Sequence, residues 1–326
     1  MRHKTPSSAV GLAPLTLLLF GLVLFWSTDA LAQQNAAAQW HFTLENDVWG
    51  DGSDGHYTHG TRITRLTTAP AGWVERTAAR IPCRPCRDLQ AVEWTLGQDL
   101  YTPESTWRSD PVTDDRPYAG WLYGSVRLLG GEQTRRAFRL DSVGLDVGVV
   151  GPAAMAEQTQ SAVHGALSKP ISRGWDHQLD DELGLVLSYQ RAWHHQKRTG
   201  RLNNDIAPYV GGALGNVFTH LSAGLTLKTG VNFQLNPLAE ATAGAGWHLF
   251  LDLETRAVAR NIFLDGNTHT ESHRVKKEPV IGEIRTGLEL TLGRFGLTLT
   301  TAIRSREFVG QREPDRYGAL SFSYRP

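Results

Sequence analysis

Residues 284–292 read Ile-Arg-Thr-Gly-Leu-Glu-Leu-Thr-Leu. Ile284, Thr286, Leu288, Leu290 and Leu292 share one parity, and Glu283, Arg285, Gly287, Glu289 and Thr291 share the other. A strict two-residue period is that of a β-strand with unlike faces. Leu297, Leu299, Thr301 and Ile303 continue it against Thr298, Thr300 and Arg304. The same alternation recurs at Val92, Trp94 and Leu96, at Leu183, Leu185, Leu187 and Tyr189, and at Trp247, Leu249, Leu251 and Leu253.

A soluble β-sandwich alternates as well, but it buries its apolar face in a second sheet. Here the segments run about ten residues, the length that crosses a bilayer when tilted. Aromatic residues (Trp40, Trp94, Tyr118, Trp193, Tyr209, Trp247 and Tyr317) fall near segment ends, where interfacial girdles belong. The pattern predicts an all-β fold, a twelve-stranded antiparallel transmembrane β-barrel. Its strands are expected at 39–47, 57–67, 90–100, 118–129, 136–150, 182–194, 203–217, 219–230, 245–260, 280–292, 295–306 and 316–324.

An even count puts both termini on the periplasmic side. Connections at 48–56, 101–117, 151–181, 261–279 and 307–315 become extracellular loops. Those at 130–135, 195–202 and 293–294 become short periplasmic turns, and 68–89 is a long connection on the same side. The last strand ends on Tyr324, aromatic as an outer-membrane assembly signal is, with Arg325 and Pro326 trailing.

The beginning of the chain has a separate role. Arg2, His3 and Lys4 precede an apolar run from Ala9 to Trp26, and Ala30-Leu31-Ala32 forms a small-x-small cleavage site. Residues 1–32 therefore read as a secretory signal peptide and 33–326 as the barrel domain. Composition agrees. Of 326 residues, 33 are Lys or Arg and 33 are Asp or Glu. That balance gives no support to nucleic-acid binding, which needs a basic excess. Ten Trp, eight Tyr and 33 Gly accompany a mean hydropathy of only −0.30. Cys83 and Cys86 are the only two cysteines. In an exported chain they read as a small disulfide within the 68–89 connection.

The longest extracellular loop contains a predicted helix at 153–168. Gly151-Pro152 starts it and Pro170 stops it. Met155, Ala162, Val163, Ala166 and Leu167 form an apolar stripe that should anchor it to the rim. Glu157, Gln160, Ser161, His164 and Ser168 form a polar stripe that should present His164. Glu45-Asn46-Asp47 ends the first strand, Tyr57-Thr58-His59-Gly60 opens the second, and Gln98-Asp99 closes the third, with Arg108 beyond. Such oxygens suit a hard cation, calcium in particular. Asp51-Gly-Ser-Asp54-Gly resembles a fragment of a calcium loop but lacks its closing glutamate. Glu93, Arg285 and Glu289 are expected to pair inside the lumen. No Gly-x-Ser-x-Gly elbow and no His-Glu-x-x-His motif occurs.

These stretches resemble the LpxR family of outer-membrane lipid A 3′-O-deacylases. The resemblance rests on Glu45-Asn46-Asp47, Tyr57-Thr58-x-Gly60, Gln98-Asp99-x-Tyr101-x-Pro103, Arg116-Pro117-Tyr118-Ala119-Gly120-Trp121, Gly148 through Pro152, Gln160-x-x-x-His164 and Gly174-Trp175-Asp176-x-Gln178-Leu179. A weaker match follows at Gly215-Asn216-Val217. They occur in the family's order over nearly the whole mature chain. The resemblance implies a twelve-stranded barrel and calcium-dependent hydrolysis of the ester-linked acyloxyacyl chain at the 3′ position of lipid A. It further implies that Asn46 and Asp47 match the family's active-site pair, Thr58 its threonine and His164 its histidine. Arg108 falls where a family member carries a lysine. The family glutamate that follows the histidine has no counterpart, because Gly165 to Arg173 contains no acid.

The expected chemistry is phospholipase-A2-like. Neutral His164 is the general base for water, Asp47 and Asn46 hold calcium at the ester carbonyl, Arg108 binds a lipid A phosphate, and Thr58 fixes the water or the metal shell. Three alternatives stay open at this level: Thr58 or a serine as nucleophile, a phospholipid substrate in place of lipid A, and a non-enzymatic porin-like barrel. The expected partners are lipopolysaccharide and the outer membrane, with the chain acting as a monomer. The barrel is tested by extraction. The protein should require detergent, show a β-rich circular dichroism spectrum and migrate heat-modifiably on gels; release as a soluble periplasmic protein would sink it.

Overall fold

The computed structural model describes residues 38–49, 56–68, 70–166, 168–233, 238 and 244–326. The expected signal peptide, the boundary after Ala32, the Asp51–Asp54 fragment and Leu167 lie outside the described residues.

Twelve antiparallel strands close into one barrel. They are β1 (Ala38–Asn46), β2 (His56–Thr67), β3 (Ala91–Thr102), β4 (Ala119–Gln133), β5 (Phe138–Val150), β6 (Glu182–Thr199), β7 (Leu202–Gly215), β8 (Phe218–Val231), β9 (Ala245–Asn261), β10 (Val280–Leu292), β11 (Phe295–Arg304) and β12 (Asp315–Tyr324). Each pairs with its sequence neighbours, and β1 closes on β12 from Trp40↔Tyr324 to Asn46↔Gly318. Among the described residues four short helices lie in the connections: α1 (Gly72–Ala78), α2 (Arg84–Arg87), α3 (Ala156–Ala166) and α4 (Ile262–Asp265).

The expected segments all become strands, several longer than the sequence suggests. The 195–202 turn shrinks to Gly200-Arg201, because β6 runs on to Thr199 and pairs with β7 through Lys197↔Asn204 and Thr199↔Leu202. His194-His195-Gln196-Lys197-Arg198 is too polar to read as strand, but backbone pairing in a hairpin needs no apolar side chains. Gly200 and Gly293 adopt φ of 62° and 58° in the two tightest periplasmic turns, a region that favours glycine. The 68–89 connection carries α1 and α2, and Cys83 and Cys86 in it are disulfide-bonded with Cα atoms 5.2 Å apart.

Parity along the strands separates two environments. Phe42, Ile63, Leu145, Val147, Leu185, Leu187, Val210, Leu249, Ile284 and Leu299 are all exposed on the outer wall. The opposite parity fills the lumen with charge. Glu283 pairs with Arg304 at 2.5 Å, Arg285 with Asp252 at 2.7 Å, and Arg127 with Glu93 at 3.6 Å. His248 lies 3.9 Å from Glu289. The expected lumenal pairing therefore holds for Glu93 and Arg285, while Glu289 has no Lys or Arg partner among the described residues and accepts from the Thr298 hydroxyl at 3.5 Å.

Above this charged belt the extracellular mouth is filled. α4 dips inward and buries Ile262 and Phe263 completely, with Phe263 stacked on Tyr101 at 4.0 Å. Tyr57, Trp121, Val217 and Tyr317 complete the cluster. The aromatic girdle needs correction on this point. Trp40, Trp94, Trp193 and Trp247 have outward parity at the periplasmic end, as a girdle requires. Tyr118, Tyr209 and Tyr317 are buried instead. The Tyr209 hydroxyl approaches Asp252 in the lumen and Tyr118 packs on Trp175. Their hydroxyls suit a polar interior as well as a headgroup region, so proximity to a strand end did not distinguish the two.

Around the plug, the Arg116 guanidinium lies over the Tyr101 ring and donates to Glu307 at 3.2 Å, both side chains buried. Burial works against a charged Glu307, but Arg116 and Arg304 beside it hold its carboxyl below the usual range. A depressed folded value means the contribution is complete above the ordinary carboxylate range, near ~4.3, and is lost as pH falls through the folded value. Glu307→Gln should cost about 3 kcal/mol, since it strands a buried guanidinium. Loss of the heat-modifiable band with temperature should show that deficit at pH 7 and a narrowing gap to wild type toward pH 3. Equal transitions at pH 7 would refute the pairing.

Candidate active site

Strand parity splits the acidic strand top of β1. Glu45 has lumenal parity. It pairs with Arg62, and the Tyr57 hydroxyl donates to it. Asp99 joins the same cluster, 3.2 Å from both Arg62 Nη1 and the Tyr57 hydroxyl. Neither acid is therefore part of an outer-wall cation site. Asn46 has the opposite parity, that of Phe42. Its Nδ2 donates to the Thr58 carbonyl at 3.0 Å.

Thr58 sits at an irregularity in the β2–β3 pairing, where the register shifts between Tyr57 and His59. The extra residue turns Thr58 away from lumenal Tyr57. Its hydroxyl pairs with that of Thr102 at 2.7 Å, and both side chains are buried. Thr102 was not singled out from the sequence; only the pairing of β2 with β3 brings it to Thr58. Asp47 opens the 3-10 turn Asp47–Trp49 and is 2% exposed. It lines a pocket of about 250 Å³ at the barrel mouth together with His56, Tyr57, Glu104, Glu313 and Asp315.

α3 presents His164 to the same sector. The chain leaves β5 at Gly151, forms a 3-10 turn Pro152–Ala154, passes through left-handed Met155 (φ 58°) and enters α3. Pro152 thus opens the 3-10 turn, and the helix proper starts at Ala156. Two contacts seat it on the outer wall and one ties it to the return of its own loop. Gln98 Nε2 donates to the Ala154 carbonyl at 2.6 Å. Trp175 Nε1 donates to Gln160 Oε1 at 2.7 Å. Ala156 packs with Leu100, Tyr118 and Trp175, over Gly120, where a Cβ would come within 2.5 Å of the Ala156 Cβ.

The helix buries Ala156, Gln160 and His164, which share one face, and leaves Ala162 and Ala166 exposed. The expected arrangement, an apolar stripe anchored to the rim and a polar stripe turned outward, is thus reversed. The reversal has a physical cause. Both buried polar side chains find partners in the returning part of the same loop, Gln160 in Trp175 and His164 in the Pro170 carbonyl, and Gly120 leaves room beneath Ala156, so a polar face can be satisfied when turned inward. His164 is 6% exposed, and its Nδ1 donates to the Pro170 carbonyl at 2.6 Å. A carbonyl can only accept, so Nδ1 carries the proton and Nε2 of the neutral ring is the basic nitrogen. Pro170 read from sequence only as a helix stop; its carbonyl also sets the tautomer.

The structure therefore joins Asn46 to Thr58 directly and brings α3 to their sector through Leu100, which pairs with His59 and packs on Ala156. Arg108 stands apart in the exposed middle of the 103–118 connection, beside Trp107, with no hydrogen bond or ion pair among the described residues. Carboxylate and amide oxygens at Asp47 and Asn46 have the right chemistry for a hard cation. The Asn46–Thr58 bond uses the nitrogen end of the amide, so its oxygen is the metal-competent end. Among the described residues no three His, Cys, Asp or Glu converge to hold a metal. The fit is thus that of a small protein contribution completed by other oxygens.

A family model described as outer membrane protein LpxR matches residues 17–326. Among solved structures the chain is similar to LpxR from Salmonella typhimurium, at 18% identity and a TM-score of 0.71, over 88% of this chain and 99% of that one. The β domain of the Bordetella autotransporter BrkA aligns at 10% identity and a TM-score of 0.42, over 89% and 99%. The translocator domain of autotransporter NalP from Neisseria meningitidis aligns at 12% identity and 0.39, over 96% and 97%. Scores that low carry no argument. No curated protein matches the chain.

The wall contact is testable without touching a reacting group. Gly120→Val should displace α3 and lower lipid A deacylation at least tenfold, while heat-modifiability shows the barrel intact. Undiminished activity would mean that α3 does not need this seat.

Proposed function

The chain belongs to the LpxR family, and from that premise we propose that it is a calcium-dependent esterase that removes the 3′-linked acyloxyacyl chain from lipid A in the outer leaflet. Family membership and the barrel support the coarser reading, an outer-membrane lipid A deacylase. The observation that carries the finer one is His164, seated against the outer wall with Nε2 as its basic nitrogen. A lipid ester lies outside the barrel, and so does this base.

His164 Nε2 takes a proton from water, and the resulting hydroxide attacks the ester carbonyl carbon. The tetrahedral intermediate collapses with cleavage of the bond to the sugar 3′ oxygen. The imidazolium returns its proton to that oxygen, leaving a sugar hydroxyl and a carboxylic acid, which releases its own proton to solvent. Asp47 and Asn46 would hold calcium, whose charge stabilises the oxyanion when bound. Thr58 serves as a positioning residue, because its hydroxyl is paired with Thr102 and not with an imidazole. That pairing also disfavours Thr58 as nucleophile. Arg108, exposed beside Trp107, is positioned for a lipid A phosphate, although a guanidinium does not duplicate a lysine. A passive porin fits poorly with a mouth filled by Phe263 and Tyr101. Export through a leader ending at Ala32 and a monomeric working state belong to the same proposal.

Mass spectrometry of lipid A from cells with and without the protein should show loss of the 3′ acyloxyacyl mass only in its presence. His164→Ala should lose at least about a hundredfold in rate, as should His164→Gln, with folding unchanged. Retention of more than about a tenth of wild-type deacylation would rule out the general base. EGTA should abolish activity, and calcium should restore it better than magnesium, whose octahedral shell is stricter. Full activity in chelator would remove calcium from the mechanism.

A further inference from the structure

The outer wall is not apolar over its whole height. On β5 the residues of outward parity run from Val147 and Leu145, both exposed, to Asp141 and Arg139 at the periplasmic end. On β6 they run from Leu185 and Leu187 to Tyr189, Arg191, Trp193, His195 and Lys197. Asp141 is only 3% exposed because its neighbours cover it. It accepts from the Tyr189 hydroxyl and from Arg191 Nε, each at 2.6 Å, and lies 3.2 Å from Arg139 Nε. Arg139 is also paired with Glu132, so Asp141 and Glu132 balance the two guanidiniums, and the excess positive charge of this sector comes from Lys197 and the adjoining turns. Asp141 holds both guanidiniums at the wall, and each has five N–H groups, more than Asp141 can use.

The cationic sector continues onto β7–β9. His195, Ile206, Leu227 and Leu251 form one register row, and Lys197, Asn204, Thr229 and Leu249 form the next. Together they line a shallow outer groove of about 520 Å³. It is apolar at Ile206, Leu227 and Leu251 and cationic at Lys197. The adjoining turns add Arg135, Arg136, Arg198 and Arg201, with no acid in 134–137 or 198–201. The extracellular connection 103–118 has the opposite bias, with Glu104, Asp110, Asp114 and Asp115 against Arg108 and Arg116. A net charge of zero thus conceals a basic periplasmic end.

We propose that this sector binds an anionic phospholipid of the periplasmic leaflet, its phosphate at Arg191 and Lys197 and an acyl chain along the Ile206–Leu227–Leu251 row. The outward parity selects the occupant. These side chains leave the barrel sideways, at the Trp193 girdle, where the surrounding medium is lipid headgroup and not open periplasm. Phosphate pairs bidentately with arginine, and the groove beside it suits hydrocarbon, which an acidic protein would not supply.

The test uses the full chain in a neutral sugar detergent, with dioleoylphosphatidylglycerol or dioleoylphosphatidylcholine added, and native mass spectrometry to count retained lipid. Wild type should retain the phosphatidylglycerol preferentially. Lys197→Gln should lose about fivefold of that retention, and Arg191→Gln with Lys197→Gln about fivefold more, as removal of single interfacial charges does. Arg274→Gln, on the extracellular side, should change nothing. The double variant must stay heat-modifiable; if it does not, Lys197→Gln alone decides. Equal retention of the two lipids by wild type, undiminished retention in Lys197→Gln, or an equal loss in Arg274→Gln each overturns the proposal.

Discussion

Every backbone N–H and C=O group that enters a bilayer must find its partner within the protein. Here that demand is met by closing β1 on β12, so that no strand edge faces lipid. Closure fixes the parity of every strand. Parity then decides chemistry one residue at a time: Glu45 turns inward to Arg62, while Asn46 turns outward to Thr58. Adjacent residues in one motif serve different ends. The inner one helps to lock the barrel, and the outer one belongs to the wall on which a lipid ester would be handled.

The lumen and the wall also depend on each other energetically. Buried ion pairs seldom stabilise relative to an apolar core, but removing one partner is costly. The pairing of Glu283, Arg304, Arg285 and Asp252 braces the barrel from within, and the plug of Phe263 and Tyr101 closes its mouth above a lumenal cavity of about 380 Å³ lined by Glu45, Tyr209, Asp252 and Arg285. Cross-strand ion pairs of this kind tie neighbouring strands into a rigid wall. α3 rests on that wall over Gly120, with almost no room for a side chain between them, so the position of His164 follows from the rigidity of the strands beneath it.

Much of this was legible in the sequence, because it is periodic. The alternation around Leu288 and Leu299 placed the strands, and the long loops set their direction. The paired cysteines and the helix carrying His164 were legible as well. What the sequence could not convey is which faces meet. Tyr317 lies near a strand end as Trp247 does and Tyr209 lies mid-strand, yet both turn inward, since a phenol suits a lumen as readily as an interface. The helix stripe misled for a related reason. Amphipathicity says that one face is buried, and the usual inference that it is the apolar one assumes an apolar seat. The seat here offers Trp175, Gln98 and Gly120. Thr102 and the Pro170 carbonyl were invisible because their importance comes from pairing across the chain.

The reversed helix also bears on how the histidine can work. Had the apolar stripe faced the wall, His164 would point toward solvent, with its tautomer left to water. Turned inward, the ring gives its Nδ1 proton to a carbonyl six residues on, so the basic nitrogen is chosen before any substrate arrives. An anionic partner for Nδ1 would stabilise the imidazolium more strongly, and the Gly165–Arg173 stretch supplies none. A neutral carbonyl orients the ring without placing a charge beside Nδ1. Such a base relies on an electrophilic carbonyl and a developing charge stabilised by other groups, which is the part that the oxygen-rich end of β1 is suited to support.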